Sequence, residues 1–111
     1  MEKDKISFEE ILKEIRSINE SETKGLKDKI LKFNEEFGEF NAELIKKLGL
    51  SYKEYNEDDL KSEMADTLQC LFSIYEQIFK ETNLNMEDIL KEIKVKDKKW
   101  LDNIEKYTKN K

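Results

Sequence analysis

A chain of 111 residues and 13.3 kDa has room for one domain. Charged residues make up 42% of it, with 21 Lys and Arg against 26 Asp and Glu, and the net charge is −5. There is no Pro, no His, one Cys and only three Gly, which excludes a many-stranded β fold, imidazole as catalytic base or metal ligand, an internal disulfide and any multi-cysteine metal site.

Six Phe, four Tyr and one Trp at regular apolar spacing argue for a folded chain rather than a disordered one. With no long apolar run, neither a membrane span nor a signal peptide is expected. The single Cys is ordinary for a reducing cytosol, so a cytoplasmic location is expected.

In chain order, the pattern predicts a first amphipathic helix over Ile6 to Ile18, with Phe8, Ile11, Leu12, Ile15 and Ile18 on one face. Ser7 with Glu10 has capping-box spacing, and Ile6 with Ile11 stands at the hydrophobic-staple positions. A polar turn over residues 19–23 leads to a second helix, from about Thr23 to Leu48. Its apolar stripe is Leu26, Ile30, Phe33, Phe37, Phe40, Leu44 and Leu48, and Gly49 is free to take the left-handed conformation after its end. Asn56, followed by Glu57, Asp58 and Asp59, caps a third helix running to about Glu81. Its stripe of Leu60, Met64, Leu68, Leu71, Tyr75 and Ile78, widened by Ala65, Phe72 and Phe79, predicts contact on two sides. Asn85 caps a fourth helix, about residues 86–108, presenting Ile89, Ile93, Trp100, Ile104 and Tyr107. The expectation is one all-α domain of about four antiparallel helices forming a bundle. Its thin core would be completed by assembly as a homodimer or homotetramer.

Two carboxylate pairs stand out, Glu36 with Glu39 and Glu63 with Asp66, each at i, i+3 and so on one helix face. On a helical wheel Glu36 and Glu39 fall about 80° and 140° from the centre of their apolar stripe. Glu63 and Asp66 fall about 100° and 160° from theirs, on the same rotational side. Two antiparallel helices would bring these four carboxylates together along one flank, an arrangement that divalent cations make favourable. All-oxygen ligands select Mg²⁺, Mn²⁺ or Ca²⁺. In an acid-rich chain such pairs also mark a solvated face. Gly38, which costs about 1 kcal/mol in a helix interior relative to Ala, weighs toward a close approach of backbone or ligand, or toward tight helix packing.

The order Glu35-Glu36-x-x-Glu39, then 23 residues, then Glu63-x-x-Asp66 on two consecutive long helices resembles the signature of the MazG-like all-α nucleoside triphosphate pyrophosphohydrolases. That superfamily also holds dimeric dUTPases, dCTP pyrophosphatases and phosphoribosyl-ATP pyrophosphohydrolase. The resemblance covers roughly residues 24–101 and includes the apolar flanks Phe33, Phe37, Leu68 and Leu71. It implies Mg²⁺-dependent cleavage between the α- and β-phosphates, with Mn²⁺ as a substitute, yielding a nucleoside monophosphate and pyrophosphate in nucleotide-pool sanitation. By the same resemblance Glu36, Glu39, Glu63 and Asp66 are metal ligands, and Glu35 ligates a further metal or positions and deprotonates the attacking water. Such chemistry needs no histidine base.

Residues 91–111 hold eight Lys against four acids, whereas residues 1–90 sum to −9. The run Lys96-Asp97-Lys98-Lys99-Trp100 resembles the basic stretch of the family's last helix, which makes Lys96 and Lys99 phosphate-binding. Lys99 keeps the charge of the usual Arg and gives up its bidentate geometry. Trp100 replaces a second Arg and offers a stacking surface or a core anchor. Cys70, one turn beyond Asp66, lines a nucleotide pocket or fills a small apolar gap. Nucleic acid is not an expected partner of this acidic chain. Two other readings remain: a phosphoribosyl-ATP-type pyrophosphohydrolase with the same metal site, and a non-enzymatic helical interaction protein with merely solvated acidic faces.

Overall fold

The computed structural model describes residues 5–109 and contains α1 (Phe8–Ser21), α2 (Leu26–Lys47), α3 (Glu57–Glu81) and α4 (Met86–Lys109), with no strand among the described residues. Lys111, part of the basic end, lies outside them. The boundaries follow local chemistry. Ser7 Oγ accepts the Glu10 amide at 3.0 Å and starts α1. Asn56 Oδ1 accepts the amides of Asp58 and Asp59 at 2.8 and 3.2 Å and starts α3. Asn85 and Asp88 form a full capping box at α4, each side chain accepting the other's backbone N–H at 3.0 Å. At the end of α2, Gly49 takes φ +74°, and the amides of Gly49 and Leu50 donate to the carbonyls of Lys46 and Ile45 at 3.0 and 3.1 Å. That pair of bonds is a Schellman motif, which favours glycine at its left-handed position. The first connection differs from expectation. α1 continues to Ser21 and α2 begins only at Leu26, after Gly25, which makes no side-chain cap.

Two compact units divide the chain, Met1–Ile78 and Phe79–Lys111. In the first, α2 and α3 run antiparallel. Thr67 Oγ1 donates to the Glu36 carbonyl at 3.1 Å and to its own-helix Glu63 carbonyl at 2.8 Å, while Lys29, two turns earlier on α2, reaches Ser73, further along α3. α1 packs on another side of α3. The Phe8 ring meets Phe72 edge-on at 5.2 Å, and Arg16 Nε donates to Glu76 Oε1 at 2.7 Å. α3 therefore has the two-sided contact its broad stripe predicted.

The interior itself departs from the expected pattern. Among the described residues, the buried apolar side chains are Leu12 and Ile15 of α1 alone, and the buried residues of α2 are Lys29, Glu36 and Glu43. These three recur every seven residues, roughly two helical turns, so they form one row along α2. The apolar stripe lies beside that row, and Ile30 and Phe37 remain more than two-fifths exposed. The charged row is internally satisfied at one end. Lys29 Nζ donates to Asn19 Oδ1, Ser73 Oγ and Glu22 Oε2 at 3.0, 3.2 and 3.3 Å, which uses all three of its protons. Ser73 Oγ donates to Asn19 Oδ1 at 2.8 Å, and Asn19 Nδ2 donates to the Ser73 carbonyl at 2.9 Å. Helices α1, α2 and α3 are thus tied by one polar knot.

In the second unit, α4 has no buried residue. Trp100 is 69% exposed, so it is not a core anchor within the single chain. Lys98–Asp102 and Lys109–Glu105 pairs at 3.0 and 3.3 Å lie along its surface, each contributing a few tenths of a kcal/mol. Among the described residues, no helix is long and apolar enough to cross a membrane.

Two stability measurements test this account. Asn19→Ala strips two acceptor contacts and one donor from the polar knot and should cost about 2–4 kcal/mol in chemical denaturation. At Gly38 an added Cβ would meet no atom within 4 Å, so tight packing inside the chain does not account for this glycine, contrary to that expectation. Gly38→Ala should therefore stabilise the metal-free chain by about 0.5–1 kcal/mol, seen as a higher melting temperature.

Candidate functional site

The Thr67 bridge sets α2 and α3 close together at the level of Glu36 and Glu63, and the carboxylates beside that seam converge. One carboxylate oxygen from each of Glu36, Glu39 and Glu63 lies within 4.8 Å of the other two. The Glu36 side chain is only 8% exposed. Its Oε1 receives Lys32 Nζ at 2.9 Å, and its Oε2 is buried with no hydrogen-bond partner. Glu63 Oε2 is also buried and unpartnered. Glu39 stands on the exposed side, and its carboxyl is pushed above the ordinary range, first by the Glu36 charge, then by partial desolvation and by Glu63.

Lysines bracket this carboxylate strip. Lys32 is held protonated above its ordinary value by the Glu36 hydrogen bond, with the Glu35 and Glu36 charges adding. Near the other end, Lys46 Nζ donates to Glu43 Oε2 at 2.7 Å and is likewise raised by that bond, with Asp59 and Glu63 contributing at longer range. Between the two lysines, one oxygen from each of Glu36, Glu39 and Glu63 faces the other two. Unpartnered, buried, hard anionic oxygens from both helices fit a divalent cation of the Mg²⁺ or Mn²⁺ type.

Beside the strip, an open cleft of about 740 Å³ is lined by residues of α1, α2 and α3. Glu35 and Lys32, neighbours of Glu36, line it together with Cys70, while Ile15, Ile18 and Leu31 supply apolar surface. Lys29, Asn19 and Ser73 of the polar knot also border it. Burial raises the Cys70 thiol pKa, and the Glu36 charge adds to the effect, so the thiol is a poor nucleophile near neutral pH. Cys70 borders the cleft rather than filling an apolar gap.

The structure therefore gathers Glu36, Glu39 and Glu63, and turns Glu35 to the cleft. Asp66 is half-buried one turn along α3 and stands outside the three-carboxylate group, with its charge felt at Cys70. Lys96 and Lys99 lie on α4 in the second unit, both exposed, and Lys96 is 3.8 Å from Glu92. Sequence reasoning missed Lys32, Lys46 and Thr67. The Lys32–Glu36 spacing of four was a legible signal. Thr67 gave none, because a mid-helix hydroxyl that bonds its own preceding turn looks like any other surface threonine.

The chain matches no protein-family model, no curated protein and no solved structure.

The raised Glu39 carboxyl has a measurable consequence. The folded, metal-free chain holds this proton to higher pH than the unfolded chain does, so stability should fall as pH rises from the ordinary 4.5 through the raised value. Glu39→Gln should remove that part of the pH dependence and raise the melting temperature in chelator, while reducing the stabilisation conferred by Mg²⁺.

Proposed function

We propose that the chain is a Mg²⁺-dependent nucleoside triphosphate pyrophosphohydrolase, similar to the MazG-like all-α enzymes, that converts an NTP or dNTP to the monophosphate and pyrophosphate. One observation carries the reading: three carboxylates from two helices meet within 4.8 Å, with buried oxygens of Glu36 and Glu63 left unpartnered, beside a cleft large enough for a nucleotide. Glu36, Glu39 and Glu63 would hold the cation, with Asp66 as the fourth carboxylate on the same run of α3. Bound there, Mg²⁺ supplies Lewis acidity toward a phosphoryl oxygen and lowers the pKa of a bound water.

The chain's own groups divide the remaining work. The Glu35 carboxylate accepts a hydrogen bond from the attacking water and takes its proton. Ile15, Ile18 and Leu31 give the nucleoside an apolar wall. Lys96 and Lys99 keep the phosphate-binding role that the resemblance gives them. Half-exposed apolar side chains on α2 and α3, among them Phe37, Met64 and Leu68, support assembly as a homodimer or homotetramer, since apolar surface is costly to leave in water. We place the enzyme in the cytoplasm, acting on the nucleotide pool.

A panel of NTPs and dNTPs, together with phosphoribosyl-ATP, tests the activity and identifies the substrate. Pyrophosphate should appear only with Mg²⁺ or Mn²⁺ present. Glu36→Gln should lower the rate at least about a hundredfold, with unchanged helicity by circular dichroism. Full activity in that variant would remove the metal-centre assignment. Absence of any thermal shift with Mg²⁺ would favour a non-enzymatic interaction protein.

A further inference from the structure

Three lysines border the cleft, Lys24, Lys29 and Lys32, and they are not equivalent. Lys29 spends its three protons on Asn19, Ser73 and Glu22 and is 6% exposed, so it has nothing left for a ligand. Lys24 lies in the connection before α2, away from the carboxylates in sequence. Lys32 is more than half exposed, gives one proton to Glu36 Oε1 at 2.9 Å and keeps two donors free. The carboxylate it holds is two-faced. Glu36 Oε1 goes to the lysine that lines the cleft, and Glu36 Oε2 is buried without a partner in a side chain that also contributes to the three-carboxylate group.

An anion entering the cleft meets Glu22, Asp28 and Glu35 on its lining, and like charges at that range repel strongly unless a cation lies between them. We propose that Lys32 is a phosphate-binding residue: it holds Glu36 Oε1 with one N–H and donates its remaining N–H groups to a phosphate oxygen of the nucleoside triphosphate. This rests on the metal-centre reading above and assigns a phosphate contact to the first unit, in addition to Lys96 and Lys99. Lys32 thereby joins the two halves of the site. The same ammonium that neutralises the outer face of Glu36 meets the polyanion whose phosphates the cation also engages.

Calorimetric titration of the intact chain with inorganic triphosphate in saturating Mg²⁺, alongside Mn²⁺ binding without triphosphate, tests this. Lys32→Gln should weaken triphosphate binding about tenfold or more, the scale of one lost charge-assisted hydrogen bond, and Lys32→Arg should recover most of it. Mn²⁺ alone should bind Lys32→Gln at least as tightly as wild type, because removing the ammonium leaves the carboxylates more negative. Unchanged triphosphate affinity in Lys32→Gln overturns the proposal. So does a parallel loss of Mn²⁺ and triphosphate binding, which would make Lys32 a purely structural support. A wild-type chain that binds Mn²⁺ but not triphosphate overturns this inference and leaves the metal centre standing. A wild-type chain that binds no Mn²⁺ overturns the metal centre itself, and Lys32's role with it.

Discussion

The first unit depends on how it buries the charged row of α2. Lys29, Glu36 and Glu43 face inward at two-turn intervals, and a buried charge is costly unless it is paired and hydrogen-bonded. At Lys29 the solution is complete, because Asn19, Glu22 and Ser73 accept all three of its protons, and Asn19 and Ser73 also bind each other. This knot fixes α1 against α2 and α3, and with the Arg16–Glu76 bond it positions Leu12 and Ile15, the buried apolar pair among the described residues. Helix packing in this unit is therefore specified as much by polar geometry as by apolar area.

Further along the same row the solution changes. Glu36 and Glu43 each have one oxygen on a lysine and one oxygen buried without a partner. The incomplete pairing is concentrated where α2 and α3 are drawn together by Thr67. A fold that satisfies Lys29 so fully and leaves neighbouring carboxylates half-satisfied has separated two tasks along one helix face. One segment holds the helices in register; the next stores negative charge that a hard cation would neutralise. The Glu36 charge, with desolvation and Glu63 adding, pushes the Glu39 carboxyl above its ordinary range.

The apolar residues complete the logic from the other side. Among the described residues only Leu12 and Ile15 are buried apolar side chains, and Phe37, Met64 and Leu68 are left about half-exposed, so these residues remove little apolar surface from water. The row of interior charges is flanked by apolar residues on one side of α2 and by Lys32, Glu39 and Lys46 on the other. Under the proposed function, the apolar flank would take a second copy of the chain and the charged flank a cation and a polyanion.

Helix identities and the capped helix ends were legible in the sequence, because capping is local: Ser7, Asn56, Asn85 and Gly49 each act within four residues of themselves, whereas the connection from α1 to α2, with no side-chain cap at Gly25, was not. The carboxylate spacings Glu36–Glu39 and Glu63–Asp66 were legible for the same reason, as was their placement on one rotational side of each helix. What the sequence could not determine was which face of α2 would turn inward. Periodicity pointed to the apolar stripe, but burial is decided by what the neighbouring helices present, and Asn19 and Ser73 come from segments ten and more than forty residues away. The same limit applies to the site. That Glu63 meets Glu36 and Glu39 while Asp66 stands a turn apart follows from the register of α2 on α3. That register is set by one threonine hydroxyl and one lysine knot, contacts that exist only once the helices are packed.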